Sequence, residues 1–366
     1  MKKILYYGLG CLNMGGIEVF LFNLAKHIDK TKFQLNFLIF GNETPCFYDE
    51  LTSIGCKFFH VTSRRKNWAK NIKEIRVLFK KERFDILHFN CASLSYLSLI
   101  FIGLKNKCEV IVHAHNNDLI SGIITRTAHK INSLRLPENK ITKFACSKSA
   151  GKFMFKNFDV NSNAKIIPNA IDAEKFIYDI ELRGRIRQEL NMEDKFVIGH
   201  VGRFAAEKNH SFLIDILKEI CEKNNDVILL LVGGGELRDK VEKKAESLGV
   251  KDNIIFMGVS SEIPALLCAM DVFLFPSLFE GLGIVLIEAQ ANGLHCIASA
   301  DVVPLEAQIT NLLEYVPLSK SASYWADKII LYADGYYREN MVKEIKNAGF
   351  DIKEMVQMLE DLYLTG

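Results

Sequence analysis

Buried strands alternate with amphipathic helices along most of this chain, and no other feature constrains its fold as strongly. In the first half, short apolar runs predict strands at Lys3–Gly8, Phe33–Phe40, Lys57–Val61, Ile86–Phe89, Val110–His113 and Lys143–Cys146. In the second half, they predict strands at Phe196–Val201, Val227–Val232, Ile254–Met257, Val272–Phe275 and Cys296–Ala298. Helical patterns with one apolar stripe, such as Ile17–Ile28, lie between these strands. The alternation predicts an α/β fold of doubly wound parallel sheets, whose ligands bind beyond the carboxyl ends of the strands.

The two series of strands meet near residue 170, at the turn-rich segment Pro168–Asp172. The chain has 366 residues, about twice the length of a typical single domain. We therefore expect an N-terminal domain over residues 1–168 and a C-terminal domain over residues 169–345, facing each other across a cleft. A terminal helix is predicted in the remaining residues 346–366, with its apolar pattern running from Ile345 to Leu364.

Charge is divided unevenly along the sequence. Residues 1–165 hold 26 lysines and arginines against 12 acidic residues, while residues 166–366 hold 20 against 32. This asymmetry indicates that the first half alone meets something anionic. The segment Arg64–Arg83 holds nine of these cations and two glutamates, with apolar residues at helical spacing: Trp68, Ile72, Ile75 and Phe79. Such a basic helix is typical of contact with an anionic membrane surface, although a domain helix with its apolar stripe packed inward would show the same pattern.

The cysteines and apolar segments favour a cytoplasmic protein. Nine cysteines are scattered without a CxxC pair or zinc-like spacing, as expected in a reducing compartment. The segment Met1–Tyr7 resembles the start of a signal peptide, but glycines at positions 8 and 10 interrupt it, so we interpret it as a strand. The apolar run Leu94–Leu104 is too short to cross a bilayer of about 30 Å. We expect a cytoplasmic location, with at most peripheral attachment to the inner face of the cell membrane.

Two glutamates flank a predicted turn from strand to helix near the end of the second series. The strand Asp271–Pro276 leads into a loop over Leu278–Gly283 and a helix over Ile284–Asn292. Backbone N–H groups at such a helix start suit a phosphate. Carboxylates only accept hydrogen bonds, so Glu280 and Glu288 suit the hydroxyl groups of the same ligand. The alternative is a glycine-softened loop with two solvated glutamates.

Cations and glycines occur at other strand ends. Arg203 and Lys208 follow one strand and could neutralise a diphosphate, although they could also be ordinary surface cations before a helix. Gly15 and Gly16 would let backbone amides approach a phosphate, or would simply form a tight turn. The glycine run in Val232–Glu236 has neither the GxGxxG spacing nor a P-loop lysine. It could support nucleotide binding, and a flexible turn explains it equally well.

Two histidines, His113 and His115, lie at the end of a central predicted strand. We expect them to point to opposite sides, so that only one of them faces the cleft. A lone histidine at a strand end is usually structural, and two histidines without a further ligand do not form a metal site. No DxD-type metal motif occurs at a suitable position, so we expect no required metal.

Together these motifs resemble those of family 4 retaining glycosyltransferases of the GT-B fold, in the same order along nearly the whole chain. The matching motifs are Gly15-Gly16-Ile17-Glu18, His113-Ala114-His115-Asn116, Ile167-Pro168-Asn169-Ala170-Ile171-Asp172, Gly202-Arg203 with Lys208, and Glu280 with Glu288. The GT-B fold consists of two Rossmann-like domains. Weaker features are similar to bacterial enzymes that build capsular, exopolysaccharide or O-antigen units: Asn116, Leu305-Glu306-Ala307 and Trp325-Ala326.

The resemblance implies transfer of a hexose-type unit from a nucleotide-diphosphate sugar, with a UDP sugar expected, to a saccharide acceptor linked to a polyprenyl diphosphate. It implies no cofactor, no metal and no nucleic acid partner. Its catalytic residues would be His113 near the reacting carbon, Glu280 on the sugar hydroxyls, and Arg203 with Lys208 on the diphosphate. Glu288 would accept hydrogen bonds from the ribose hydroxyls of the donor. The rest of the donor would lie against a set of other residues: Gly15, Gly16, Met257, Gly258, Gly281, Leu282, Gly283 and Ile284.

Two other functions are compatible with the same architecture. A nucleotide-sugar epimerase shares the two-domain arrangement, but it needs residues that abstract a proton, and the spacing of the glutamates argues against it. A catalytically silent partner subunit would keep the fold and lose the groups of the cleft. Retention of Arg203, Lys208, Glu280 and Glu288 argues against that function.

Overall fold

The computed structural model describes residues 1–10, 15–116, 123–159 and 164–365. The described chain divides into two units, of which the first comprises Met1–Ala170 and Phe350–Gly366 and the second Ile171–Gly349. The loops around Cys11–Met14 and Asn116–Gly122, which the family resemblance would place against the acceptor, lie outside the described residues, apart from Asn116.

The first unit is built on one parallel sheet. Its strands are β1 (Lys2–Tyr7), β2 (Phe33–Phe40), β3 (Lys57–Val61), β4 (Ile86–Cys91), β5 (Glu109–Ala114), β6 (Thr142–Ala145) and β7 (Ala164–Ile166). Within the described residues their order is β3-β2-β1-β4-β5-β6-β7. The helices are α1 (Gly16–His27), α2 (Tyr48–Ser53), α3 (Trp68–Glu82), α4 (Leu97–Lys105), α5 (Ile123–Arg135) and α6 (Lys148–Met154).

Both faces of this sheet are covered, which explains the continuous apolar runs of its strands. In β1, Leu5 packs into one core with Leu87 and Val112. Its neighbours Ile4 and Tyr6 pack into a second core on the opposite face. Successive side chains of a strand point to opposite faces, so a strand buried on both faces needs apolar residues at every position.

The second unit repeats this plan with a second parallel sheet. Its strands are β8 (Phe196–Val201), β9 (Val227–Val232), β10 (Ile254–Gly258), β11 (Val272–Phe275), β12 (His295–Ser299) and β13 (Leu313–Val316). Among the described residues the order is β10-β9-β8-β11-β12-β13. The helices are α7 (Ile180–Glu189), α8 (His210–Cys221), α9 (Arg238–Ser247), α10 (Ile263–Ala269), α11 (Ile284–Ala291), α12 (Ala322–Ile330) and α13 (Val342–Asn347). The predicted α/β fold with two doubly wound sheets is confirmed.

The terminal helix α14 (Ile352–Thr365) belongs to the first unit. It packs against α1, and its Leu359 and Tyr363 are fully buried in the core beneath β1. The prediction of one continuous helix from 345 to 364 is wrong, because the chain turns at Gly349, whose φ is +82°. A side-chain oxygen of Asp351 then accepts hydrogen bonds from backbone N–H groups and restarts the helix. No helix in the described parts of the chain is both long and apolar enough to cross a membrane.

Candidate active site

The loop between β11 and α11 carries the first group of predicted residues. Gly283 has a φ of +78°, and a Cβ there would lie 3.3 Å from side-chain atoms of Phe275 and Leu286. The position therefore favours glycine for both its backbone conformation and its surroundings. Leu282 is buried beside it, and α11 begins at Ile284. The sequence prediction of a strand, a glycine turn and a helix is confirmed here.

Glu280 and Lys208 form an ion pair within the second unit, although they are 72 residues apart. Glu280 is buried, and the Ser277 hydroxyl donates a hydrogen bond of 2.9 Å to the same carboxylate oxygen. The Lys208 ammonium also lies 4.7 Å from the centre of the Phe275 ring. The fold thus brings together two residues that the sequence assigned to one ligand.

Arg203 lies just after β8, and its side chain is 45% exposed. Its guanidinium donates a hydrogen bond of 2.7 Å to the carboxylate of Glu207. Burial acts to raise the pKa of Glu207, but the hydrogen bond and charge of Arg203 outweigh it and lower this pKa. The carbonyl of Glu207 also accepts a hydrogen bond of 2.8 Å from the N–H of Leu278, which ties the two loops together. Sequence reasoning missed Glu207, although its spacing of four from Arg203 is a common one for ion pairs.

The glycine run after β9 lies against the Arg203 loop. A Cβ at Gly233 would lie 2.1 Å from the carbonyl oxygen of Gly202, and a Cβ at Gly235 would lie 2.6 Å from that of Phe204. The N–H of Gly233 donates a hydrogen bond of 2.8 Å to the carbonyl of Gly258, at the end of β10. The glycines therefore let three strand ends approach closely. Neither the nucleotide-binding interpretation nor the flexible turn predicted this packing. Met257, before that turn, is 38% exposed.

Glu288 lies in the second turn of α11 and is partly buried. In the described part of the chain, no group donates a hydrogen bond to its carboxylate. Burial raises the pKa of Glu288 from its ordinary value to about 8. A carboxyl group with such a pKa and no partner is typical of a site that completes its hydrogen bonds with a ligand.

In the first unit, Gly15 and Gly16 start helix α1. The carboxylate of Glu18 accepts hydrogen bonds from the N–H groups of Gly15 and Gly10, at 3.0 and 3.2 Å. Glu18 thus supports the start of helix α1. Burial raises the pKa of this carboxyl group. A Cβ at Gly16 would lie 3.5 Å from the side-chain nitrogen of Asn169, which places the junction segment beside the glycine turn.

The prediction that His113 and His115 point to opposite sides is wrong. Their ring centroids are 4.1 Å apart, and both rings also pack against Phe20. The physical reason is simple, because residues two apart in a strand share a face. The Nε2–H of His115 donates a hydrogen bond of 3.0 Å to the side-chain oxygen of Asn90.

His113 has no exposed surface, and both its ring nitrogens face protein atoms. Its Nε2 lies 3.3 Å from the carbonyl oxygen of Ile167, so this nitrogen carries the proton. Its Nδ1 then accepts from Nε2 of His88 at 3.2 Å, and Nδ1 of His88 accepts from the Tyr363 hydroxyl at 2.6 Å. Burial lowers the pKa of His113 well below its ordinary range and that of His88 to about 3, so both rings are neutral. Sequence reasoning missed His88 and Tyr363, since nothing in the spacing of the two residues predicts their contact.

The structure therefore assembles Arg203, Lys208 and Glu280 in the second unit, with Glu288 one turn into the following helix. His113 and the glycine pair belong to the first unit. Within the described ranges, no three His, Cys, Asp or Glu side chains are grouped so as to hold a metal ion.

Comparisons with known proteins agree with this architecture. Residues 14–175 match the family described as Glycosyltransferase Family 4, and residues 183–348 match Glycosyl transferases group 1. EpsF of Bacillus subtilis (strain 168), a protein named as a glycosyltransferase, is 30% identical over 99% of this chain and 96% of its own length. The Escherichia coli UDP-Gal:alpha-D-GlcNAc-diphosphoundecaprenol alpha-1,3-galactosyltransferase is 27% identical over 81% of this chain and 79% of its own.

Among solved structures, Anabaena Alr3699/HepE in complex with UDP superposes with a TM-score of 0.81 at 18% identity, over the full length of both chains. Sucrose-phosphate synthase from Thermosynechococcus elongatus superposes with a TM-score of 0.77 at 18% identity, over 100% of this chain and 99% of its own. These structural likenesses confirm the predicted GT-B fold. The sequence matches go further, and the chain belongs to the family 4 glycosyltransferases.

Proposed function

We propose that this glycosyltransferase moves a sugar, with retention at the anomeric carbon, from a UDP sugar to a saccharide linked to a polyprenyl diphosphate. The product would be a unit of a bacterial surface polysaccharide, such as a capsule or an exopolysaccharide. The observation that carries this proposal is the ion pair of Lys208 with the buried Glu280, beside a loop that leads to Glu288, whose carboxyl group has no hydrogen-bond partner among the described residues. The lysine suits the diphosphate of a nucleotide sugar, and the two glutamates suit its hydroxyl groups, because carboxylates accept hydrogen bonds.

Two ion pairs of the second unit suggest how the donor is bound. Arg203 and Lys208 are neutralised by Glu207 and Glu280. An arriving diphosphate would take over both cations, the arginine through its planar fork and the lysine as a point charge. Glu280 would then accept hydrogen bonds from the sugar hydroxyls, and Glu288 would accept those of the ribose. Backbone groups of Gly281, Leu282, Gly283 and Ile284 would contact the phosphate or sugar, and Met257 with Gly258 would lie near the base.

The reaction breaks the bond from the anomeric carbon to the phosphate oxygen and forms a bond from the same carbon to the acceptor oxygen. In our proposal the departing phosphate takes the proton of the acceptor hydroxyl, and the new bond forms on the face that the phosphate leaves. Arg203 and Lys208 stabilise the charge that develops on the leaving group. The proposal needs no metal and no cofactor, because these two cations supply the neutralisation that Mg²⁺ gives in other phosphate enzymes.

The first unit would contribute Gly15, Gly16 and His113. The His113 ring is neutral, so we propose that it acts as a hydrogen-bond donor near the reacting carbon rather than as a base. Its Nε2–H already points at the carbonyl of Ile167, and contact with the sugar would require this hydrogen bond to be shared or exchanged.

The acceptor proposal is supported by the Escherichia coli relative, whose name describes a diphosphoundecaprenol acceptor. A lipid-linked acceptor requires work at a membrane surface. We propose that the basic segment Arg64–Arg83 makes this contact on the cytoplasmic side of the cell membrane, since the excess of cations lies in the first half of the chain.

The test is incubation of the protein with a panel of labelled nucleotide sugars, with and without a bacterial lipid extract. The proposal predicts labelled sugar in the lipid fraction for one donor, with release of the nucleoside diphosphate. Conversion of the donor to an epimer without an acceptor would favour the epimerase. No turnover of any donor, with nucleotide binding intact, would favour a silent subunit.

A further inference from the structure

A groove of about 560 Å³ runs between helices α3 and α4 of the first unit. Its lining residues are Trp68, Ile72, Arg76, Lys80, Ser98, Phe101, Ile102, Lys105 and Asn106. From Trp68 to Lys80 the groove follows α3 for about 18 Å, at 1.5 Å per residue. That length is comparable to an extended lipid acyl chain of moderate size.

The groove combines an apolar floor with exposed apolar side chains. Ile72 and Ile102 are only 7% exposed and form the floor. Trp68 is 60% exposed and Phe101 47% exposed, although both are large apolar residues. Val77, which follows the groove residue Arg76 on α3, is also apolar and is 57% exposed. Exposed apolar groups clustered in this way mark an interaction site.

The same groove is strongly basic. Arg76, Lys80 and Lys105 line it, and no carboxylate does. Within the described residues, none of the three cations takes part in an ion pair. An anion that combines a phosphate with a hydrocarbon chain would therefore be complementary to the groove.

The basic end of the groove lies far from the proposed reaction site. Lys80 and Asn106 also line a neighbouring cavity of about 840 Å³ with Ile86 and Glu109, which are paired at the starts of β4 and β5. His113 lies at the other end of β5, about 13 Å from Glu109, since a strand rises about 3.3 Å per residue. An acceptor whose diphosphate was bound at Lys80 would hold its sugar at the wrong edge of the sheet.

We propose that this groove binds one anionic phospholipid of the membrane, with its phosphate on Arg76, Lys80 and Lys105 and an acyl chain against Trp68, Ile72 and Phe101. This inference deepens the proposed membrane contact of Arg64–Arg83 and rests on it. It replaces a diffuse attraction between charges by a discrete site, and it assigns the groove to a membrane lipid rather than to the acceptor.

The chain contains a built-in reporter for this test. Of its two tryptophans, Trp68 lines the groove, and Trp325 is fully buried in the second unit. Bromine atoms on lipid chains quench tryptophan fluorescence only at contact distance. Vesicles are prepared with equal amounts of phosphatidylglycerol and phosphatidylcholine, with the bromines on the chains of one lipid or the other. The proposal predicts that brominated phosphatidylglycerol quenches the protein more strongly than brominated phosphatidylcholine, and that Trp68→Phe abolishes the difference.

Matched charge variants test the headgroup contact. Arg76 and Lys80 are exposed cations four residues apart on α3, and Lys148 and Lys152 are an equivalent pair on α6. Arg76→Glu with Lys80→Glu should weaken binding to the vesicles at least about tenfold, since each cation near an anionic surface contributes to attachment. Lys148→Glu with Lys152→Glu, which makes the same change in net charge, should retain the preference for brominated phosphatidylglycerol.

Three results would overturn the proposal. Equal quenching by both brominated lipids would show diffuse attraction, and no quenching of Trp68 would show that the groove does not meet lipid chains. Relief of the quenching by a small excess of isoprenyl diphosphate, but not by unbrominated phosphatidylglycerol, would assign the groove to the acceptor. Turnover of the donor is measured in parallel with vesicles absent, so that failure of the lipid site is distinguished from failure of the transferase function.

Discussion

At the scale of single residues, the proposed donor site contains two glutamates in different surroundings. Glu280 is compensated by Lys208 within the protein, whereas Glu288 has a raised pKa and no partner in the described chain. The two glutamates that look alike in the sequence are thus in different electrostatic states. This difference suits the proposed site, in which the diphosphate would replace Glu280 as the partner of Lys208. Ribose hydroxyl groups would supply the hydrogen bonds of Glu288.

The raised pKa of Glu288 predicts a pH-dependent stability. Its pKa lies above the ordinary value of 4.5, at about 8, so between these values the folded protein holds more protons than the unfolded chain. The free energy of unfolding therefore falls as the pH rises through this window. Denaturant unfolding at pH 5 and pH 8 should show a smaller loss of stability for Glu288→Gln than for the unmodified protein. Equal losses for the two proteins would contradict the assigned pKa.

Removal of one partner of the Lys208–Glu280 pair should cost more than removal of both. Lys208→Met leaves the buried Glu280 with its Ser277 hydrogen bond but without its cation. We expect a loss of about 1–3 kcal/mol in the free energy of unfolding. Adding Glu280→Gln should recover part of this loss, because no uncompensated charge then remains. Additive losses in urea unfolding of the single and double variants would show that the pair is not coupled.

At the scale of elements, the close approach of strand ends depends on specific glycines. Gly233 and Gly249 both have positive φ, but a Cβ at Gly233 would meet the backbone of Gly202, while one at Gly249 would meet nothing within 4 Å. Replacement by alanine should therefore destabilise the protein at both positions, and by several kcal/mol more at Gly233, because a backbone clash cannot relax as a side chain does. Similar melting temperatures for Gly233→Ala and Gly249→Ala would contradict this packing.

The hydroxyl of Tyr363 links helix α14 to the strand that carries His88. Tyr363→Phe leaves Nδ1 of His88 buried without its donor, and we expect a loss of about 1–3 kcal/mol in the free energy of unfolding. The exposed Tyr337 provides the control, since Tyr337→Phe removes a hydroxyl from a side chain that is 88% exposed. Both variants are compared by thermal unfolding, and equal stability would show that the chain of hydrogen bonds contributes nothing.

Most strands of the described chain could be predicted from sequence, but two of the four edge strands could not. The runs Phe33–Phe40 and Phe196–Val201 have the predicted bounds, because apolar residues predominate in both. The edge strands β7 and β13 were missed, since they have three and four residues and include the charged residues Lys165 and Glu314. The site residues Arg203, Lys208 and Glu280 were predicted from their motifs. Their partner Glu207 and the contact of His88 with Tyr363 depend on tertiary packing that no local pattern encodes.

At the scale of the whole molecule, the chain leaves its first unit at Ala170 and returns to it at Phe350. The first unit therefore contains both chain ends, and Lys2 donates a hydrogen bond of 2.6 Å to the carbonyl of Tyr363. The basic half of the sequence falls in this unit, while the acidic half contains the cations assigned to the donor diphosphate. The proposed donor site therefore rests on the local arrangement of Arg203 and Lys208 rather than on the net charge of the unit that holds them.

The measurement that tests the central claim most directly is calorimetric titration of a UDP sugar into the unmodified protein and into Glu288→Ala. If the second unit holds the donor as proposed, the unmodified protein binds it, and the variant binds more weakly by about 1–3 kcal/mol through the lost hydrogen bonds of the Glu288 carboxyl group. The variant should remain folded, as checked by circular dichroism. Unchanged affinity of a folded Glu288→Ala variant would contradict the assignment of this carboxyl group to the donor ribose.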